Sequence, residues 1–256
     1  MEQVFGGIDP FFIGVAVLVT VVGGFVKGAV GFAMPMIMIS AMGSFMPPEL
    51  ALAALIVPTV VANVWQGLRG GLAAAWAAAK RFRFYISIVL VCIALSAQLV
   101  RILPASAMLL ILGLPITLFA LMQLVGWRLT IRPENRRRAE VIIASFAGLV
   151  GGISGVWGPP TVAYLTALDT PKADHMRTQG VVYASGAVVL FFAHLQSGVL
   201  NAQTLPLSLA LVAPALAGMM IGFWAHDRLD QERFRKATLA VLVIAGLNLV
   251  RRGLMA

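Results

Sequence analysis

Charge is missing from long stretches of this chain. Uncharged runs occupy residues 10–26, 28–48, 50–68, 84–100, 102–127, 141–168, 178–225 (His194 aside) and 237–250. A helix of about 20 apolar residues crosses the roughly 30 Å of hydrocarbon in a bilayer, and several of these runs reach that length. They are apolar on all sides, rich in Gly, Ala and Leu, and lack the period-2 alternation of barrel strands. The pattern therefore predicts membrane-spanning helices.

Composition agrees. Hydrophobic residues make up 60% of the 256 positions and charged residues 11%, with a mean hydropathy of +0.94, which excludes a soluble domain of ordinary surface. The N-terminal "MEQVFGGIDP" has no basic n-region and no small-residue cleavage pattern, so the first span is expected to stay in the protein. The single cysteine, Cys92, excludes an internal disulfide and a cysteine metal cluster. No metal or other cofactor is predicted. A net charge of +9 would suggest nucleic acid in a soluble protein, but here the basic residues gather in "AAKRFRF" and "RLTIRPENRRR". In a lipid-embedded chain such loops report orientation and meet anionic headgroups, so the bilayer is the expected partner and nucleic acid is not.

The chain repeats itself. At an offset of 124 residues, Gly24, Gly28, Gly31, Pro35 and Pro47 fall without a gap on Gly148, Gly152, Gly155, Pro159 and Pro171. Two halves are predicted, 1–128 and 129–256, together forming one transporter domain. Each half begins with a Gly/Pro-interrupted apolar pair (10–46; 140–168) and continues with three plain spans (50–68, 84–101, 104–127; 177–199, 203–226, 236–250). Five segments per half would invert one half relative to the other. Counting each interrupted pair as one helix gives parallel repeats instead.

Arginine and lysine choose between these arrangements. The inverted arrangement puts fifteen basic residues inside, in the loops holding Arg69 to Arg83, Arg128 to Arg138, Lys172 and Arg177, and Arg228 to Lys236; only Arg101, Arg251 and Arg252 lie outside. The parallel arrangement gives eleven against seven. The excess of positive charge on the cytoplasmic side favours inversion, with the N-terminus outside. The expected fold is an all-α polytopic membrane protein of two inverted repeats, each of about five segments opening on a broken or re-entrant helix pair, with eight to ten transmembrane segments in all.

Matching broken segments in inverted repeats point to a transporter's substrate site at the repeat interface. In "GFAMPMIMIS" the chain is expected to break at Gly31 and resume as a helix near Pro35; in "GVWGPPTVAYL" it resumes near Pro159 or Pro160. Each new helix start aims unpaired N–H groups and the positive end of a dipole into the break, so two facing each other would form a small anion site. Gly28, Gly31, Gly152 and Gly155 would let an oxyanion approach the backbone, and Ser154 and Thr161 could add hydroxyl donors. The competing reading is that these glycines only permit close helix packing and the prolines only kink.

Lys27 lies in the first break, with Gly151 as its repeat equivalent. A lysine at the centre of a span costs about 2.5 to 3.5 kcal/mol on insertion scales, so one facing lipid is disfavoured. The remaining readings are an anion ligand, or a side chain snorkelling to an interface. All ten acidic residues fall in or beside loops, so a cation- or proton-coupled carrier would lack its usual intramembrane carboxylate. A basic, acid-free path suits an anion. Asn63 and Gln66 are secondary candidates, and His194 with Gln196 lies lower still, since such amides often satisfy one another across helices.

The residues "GGFVKGAVGFAMPMIMI" and "ALAALIVPTVVANVWQGLRGG", with the second copies "GLVGGISGVWGPPTVAYL" and "RTQGVVYASGAVVLFFAHLQSG", resemble the TauE/SafE sulfite-exporter family of bacterial inner-membrane proteins. The resemblance covers nearly the whole chain. It implies a secondary transporter exporting sulfite, sulfoacetate or a related organosulfonate, and it carries Lys27, Gly28, Gly31, Pro35, Gly152, Gly155, Pro159 and Pro160 over as motif positions. An importer or exchanger of a related anion is the alternative. An enzyme is not expected, because the spans hold no acid pair, no metal-ligand spacing and no nucleophile beside a base. Oligomeric state stays open.

Overall fold

The computed structural model describes residues 9–127, 129–168, 170, 172–226, 228 and 230–255. Glu2, Arg128, Asp169, Pro171 and Asp227 lie outside the described residues, as do the side chains of Lys172 and Asp174. Among the described residues there is no strand. The elements are α1 (Pro10–Val30), α2 (Met34–Met42), α3 (Pro48–Leu68), α4 (Leu72–Arg81), α5 (Arg83–Ser96, extended by a 3-10 turn over Ala97–Arg101), α6 (Ala105–Leu124), α7 (Arg136–Ser154), α8 (Gly158–Ala167), α9 (Lys172–Ser197), α10 (Leu205–Ala210), α11 (Val212–His226) and α12 (Gln231–Met255).

Among the described residues, seven stretches are long and apolar enough to cross a membrane: α1, α3, α5 with its 3-10 turn, α6, α9 from Arg177, α10 with α11, and α12 from Glu232. The protein is thus a multi-pass helical membrane protein. α7 is nearly as long, but it opens on Arg136, Arg137, Arg138 and Glu140, so only its later part is apolar. At 1.5 Å per residue, α2 and α8 reach only about 14 and 15 Å and cannot cross. They are the short halves of the interrupted pairs. Gly23 of α1 lies against both Met34 and Met38, so α2 folds back along the helix it follows.

Glycine ends both long partners. Gly31 closes α1 at φ 84° and Gly155 closes α7 at φ 71°, the left-handed conformation that glycine adopts without a Cβ penalty. In each case the glycine N–H donates back to the carbonyl four residues earlier, Gly31 to Lys27 at 2.7 Å and Gly155 to Gly151 at 2.8 Å. The next helices begin at Met34 and Gly158, one residue before Pro35 and Pro159. There the missing proline N–H costs nothing, because the first-turn donors have no partner within the helix anyway.

α3 and α9 are the most enclosed of the spans and cross antiparallel, Asn63 meeting Tyr183 and Gly67 meeting Gly180. α6 and α12 also run antiparallel, with Gly113 against Gly246 and Ser106 against Gly253. α1 packs on α11, and α7 on α5. The short α4 exposes Leu72 and Trp76 and carries Lys80 and Arg81 in its last turn, the character of a helix lying at a membrane surface.

Proline inside α3 has a local remedy. Pro58 cannot donate to Ala54 O four residues back. Ser208 of α10 supplies that bond, donating to Ala54 O at 3.2 Å and accepting from Val57 N at 3.1 Å.

Candidate functional site

Lys27 is 1% exposed. It sits one turn before the end of α1, and its ammonium donates to Asn63 Oδ1 at 2.6 Å and to Gln66 Oε1 at 2.7 Å. Both amides have fixed orientations because their NH2 groups are also used, Asn63 Nδ2 donating to Tyr183 O at 3.3 Å and Gln66 Nε2 to Gly31 O at 3.0 Å. The helical spacing of three residues puts the two amides on one face of α3, and the central position of α3 directs that face at α1. These two amides, secondary candidates from the sequence, hold the lysine together with α9 and the end of α1.

None of the ion pairs among the described residues involves Lys27. A buried ammonium has three N–H bonds. Two are engaged, and the Tyr183 ring lies 5.7 Å from Nζ, a cation–π distance. The snorkelling alternative is overturned, since the side chain is enclosed within the helix bundle.

Lys27 borders a cavity which both chain breaks help to line. From the first break come Phe32, Ala33, Pro35 and Met36; from the second, Gly155, Val156, Trp157, Gly158 and Pro159. Thr59 and Asn63 of α3 and Tyr183 of α9 complete the wall. No side chain caps α2 or α8, so the first-turn N–H groups of both helices point toward this region without side-chain partners. Ala33, just ahead of α2, sits at φ 77°, a left-handed conformation that costs a non-glycine residue about 1 to 2 kcal/mol.

Two donors in the wall are unengaged. Thr59 Oγ1 and Trp157 Nε1 are buried without a hydrogen-bond partner. An unpaired buried polar group costs about 1 to 3 kcal/mol, and a bound ligand can recover that loss.

Of the residues singled out from sequence, Lys27, Pro35, Asn63, Gly155 and Pro159 line the cavity. Gln66 and Gly31 stand behind it, joined by their hydrogen bond. Gly28 and Gly152 do not line it. A Cβ on Gly28 would collide with Met219 O and Phe223 N of α11, and one on Gly152 with Ser96 Oγ and Ile93 O of α5, so for these two the close-packing reading holds. Ser154 accepts from Val156 N at 3.0 Å and donates to Val150 O at 2.7 Å, which shapes the second break. Thr161 donates to Trp157 O at 2.8 Å and accepts from Tyr85 OH at 3.1 Å, pointing away from the cavity. Pro160 is half-buried beside it. His194 Nε2 donates to Gly152 O at 3.0 Å, leaving Nδ1 to accept from Ser197 Oγ at 3.1 Å, so the imidazole braces α7.

Sequence reading missed Thr59, Trp157, Tyr183, Phe32 and Ala33. Phe32, Ala33 and Trp157 were within the quoted breaks and could have been included as immediate neighbours of Gly31 and Gly155. Thr59 had a weaker signal, one residue after a proline within a span. Tyr183 had none, because its contact with Lys27 depends on how α9 crosses α3.

No curated protein and no solved structure matches the chain significantly. A family model described as "Sulfite exporter TauE/SafE" matches residues 16–249. With nearly its whole length matched, and a helical bundle in which a buried lysine lies beside two chain breaks, the chain belongs to the TauE/SafE sulfite-exporter family.

Proposed function

We propose that this protein is a secondary carrier of the bacterial inner membrane that exports a small sulfur-containing anion, sulfite, sulfoacetate or a related organosulfonate, through the cavity beside Lys27. The family is one of membrane transporters of sulfur anions. The observation that carries the reading is the buried Lys27 side chain, held by two neutral amides and facing a cavity with no carboxylate among the described residues of its wall. An enclosed cation without a counter-charge is costly, and an entering anion relieves that cost. Outward movement follows from the inside-negative potential, which favours export by about 2.3 kcal/mol per negative charge per 100 mV.

In this reading residues 1–128 and 129–256 are inverted copies, with the N-terminus outside. Support comes from α3 and α9, and from α6 and α12: each pair occupies matching positions in the two halves, and each runs antiparallel. The exchange of partners between α1 on α11 and α7 on α5 fits the same two-fold relation. Alternating access would then rock the two halves about the cavity.

Proteoliposomes loaded with radiolabelled sulfite test the function. Efflux should accelerate when the outside is made positive and should fall to the protein-free rate in Lys27→Ala. If sulfite, sulfate, sulfoacetate, taurine and thiosulfate all stay in the lumen at the protein-free rate, the reading fails. Accumulation against the potential would instead favour an importer or exchanger.

A further inference from the structure

The cavity offers its ligand a single ionic group. Among the described residues of its wall Lys27 is the one basic side chain, and the one other titratable group is the Tyr183 phenol, whose OH donates to Gly158 O at 3.2 Å. α11, packed against Lys27's helix, presents Met219 and Phe223 near this level. Two of the three ammonium protons are already committed to Asn63 and Gln66, so one is left for a ligand. The unengaged side-chain donor beside it is neutral, the Thr59 hydroxyl; the Trp157 indole N–H lies against Gly186 of α9. Phe32, Pro35, Met36 and Pro159 make the rest of the wall apolar.

The helix starts add less than their number suggests. A helix N-terminus supplies at most about half a charge, mostly through first-turn N–H groups. α2 has proline at its second position, and α8 at its second and third, and those positions carry no N–H. The two amide oxygens on Lys27 also turn the negative ends of their dipoles toward the same place.

We propose that the site selects a singly charged anion and rejects a doubly charged one. Lys27 balances one negative charge, and the remaining ammonium proton and the Thr59 hydroxyl provide donors for the oxygens of a sulfonate or of hydrogensulfite. A dianion would bring a second charge into a largely apolar cavity without a partner, where an uncompensated ion is strongly disfavoured. On this account hydrogensulfite is the form of sulfite that is carried. This narrows the cargo proposed above to hydrogensulfite and monoanionic sulfonates: sulfoacetate, a dianion, leaves the candidates, and sulfate and thiosulfate are excluded on the same ground.

The inference rests on the anion-carrier reading, and the test separates the two. Equilibrium binding is measured on the purified protein in lipid nanodiscs with methanesulfonate, which is a monoanion across the working pH range, with sulfate, a dianion across it, and with sulfite, which changes from mono- to dianion near neutrality. Methanesulfonate should bind at least about tenfold more tightly than sulfate. Sulfite affinity should fall as pH rises through neutrality, relative to methanesulfonate, which corrects for any titration of Lys27 itself. Sulfate binding as tightly as methanesulfonate, or sulfite affinity tracking methanesulfonate at every pH, overturns the charge selection and leaves the anion site standing. Failure of all three to bind overturns both. Because the comparison is between ligands on the unmodified protein, a variant that fails to fold cannot obscure it.

Discussion

Lys27 Nζ donates to Asn63 Oδ1 at 2.6 Å across 36 residues of chain, and the same amide's NH2 donates to Tyr183 O in the other half. One asparagine therefore joins the cation of α1 to the backbone of α9. Lys27→Met keeps all but the last atom of the side chain and deletes the charge. Two charge-assisted bonds are lost, but so is the cost of burying an ammonium, so unfolding in mixed micelles should shift by less than about 2 kcal/mol. Anion-dependent stabilisation of the unfolding transition should vanish. Retained sulfite protection in this variant would remove Lys27 from the site.

Thr59→Val deletes a hydroxyl that has no partner in the empty protein while keeping the β-branched shape. Thermal stability should be equal or slightly higher, because an unpaired buried hydroxyl carries a desolvation cost of about 1 to 3 kcal/mol. Anion affinity should fall by about tenfold, the worth of one hydrogen bond of roughly 1.4 kcal/mol. An unchanged affinity by isothermal titration would show that the hydroxyl faces no ligand.

Gly28→Ala and Gly14→Ala compare two glycines of one helix. A Cβ at Gly28 would strike Met219 O and Phe223 N, both backbone, whereas at Gly14 it would meet nothing within 4 Å. Backbone on both sides leaves α1 and α11 only the option of moving apart. Gly28→Ala should lower stability by about 2 kcal/mol or more, in the range of overpacked cores, and broaden the gel-filtration peak. Gly14→Ala should be neutral or stabilising by up to about 1 kcal/mol.

Ser208 and Pro58 form a testable pair across α10 and α3. Ser208→Ala leaves Ala54 O without its donor beside the proline, at an expected cost of about 1 to 3 kcal/mol for a buried unsatisfied carbonyl. Pro58→Ala restores the backbone N–H that can reach Ala54 O. In the double variant the cost of losing Ser208 should be at least halved, a coupling that a double-mutant cycle of unfolding free energies measures directly. Additive costs would show that Ser208 does not compensate for the proline.

The helical class, the long spans and the two interruptions were legible in the chain because each has a local cause. Runs of uncharged residues fix where lipid is tolerated, Gly31 and Gly155 supply the left-handed ends, and Pro35 and Pro159 mark the helices that follow to within one residue. Even the matched spacing of the breaks could be read directly, since a repeated pattern needs no knowledge of packing. α4 was missed because its alanines and basic residues resemble a loop until a membrane surface gives its exposed Leu72 and Trp76 a place to lie.

Sequence by itself determined the backbone conformations, because φ at a glycine and the missing N–H of a proline are properties of single residues. The tertiary structure decided what each side chain meets. Gly28 and Gly31 belong to one motif, yet one packs on α11 and the other is held by Gln66 at the rear of the cavity. Ser154 and Thr161 carry hydroxyls suited to an anion and spend them on nearby groups, while Thr59, Trp157 and Tyr183 enter the wall. These outcomes depend on which helix crosses which, at what height and facing which way. Such contacts join residues distant in the chain, and the free energy that selects among them comes from the packing of the whole bundle rather than from any segment of it.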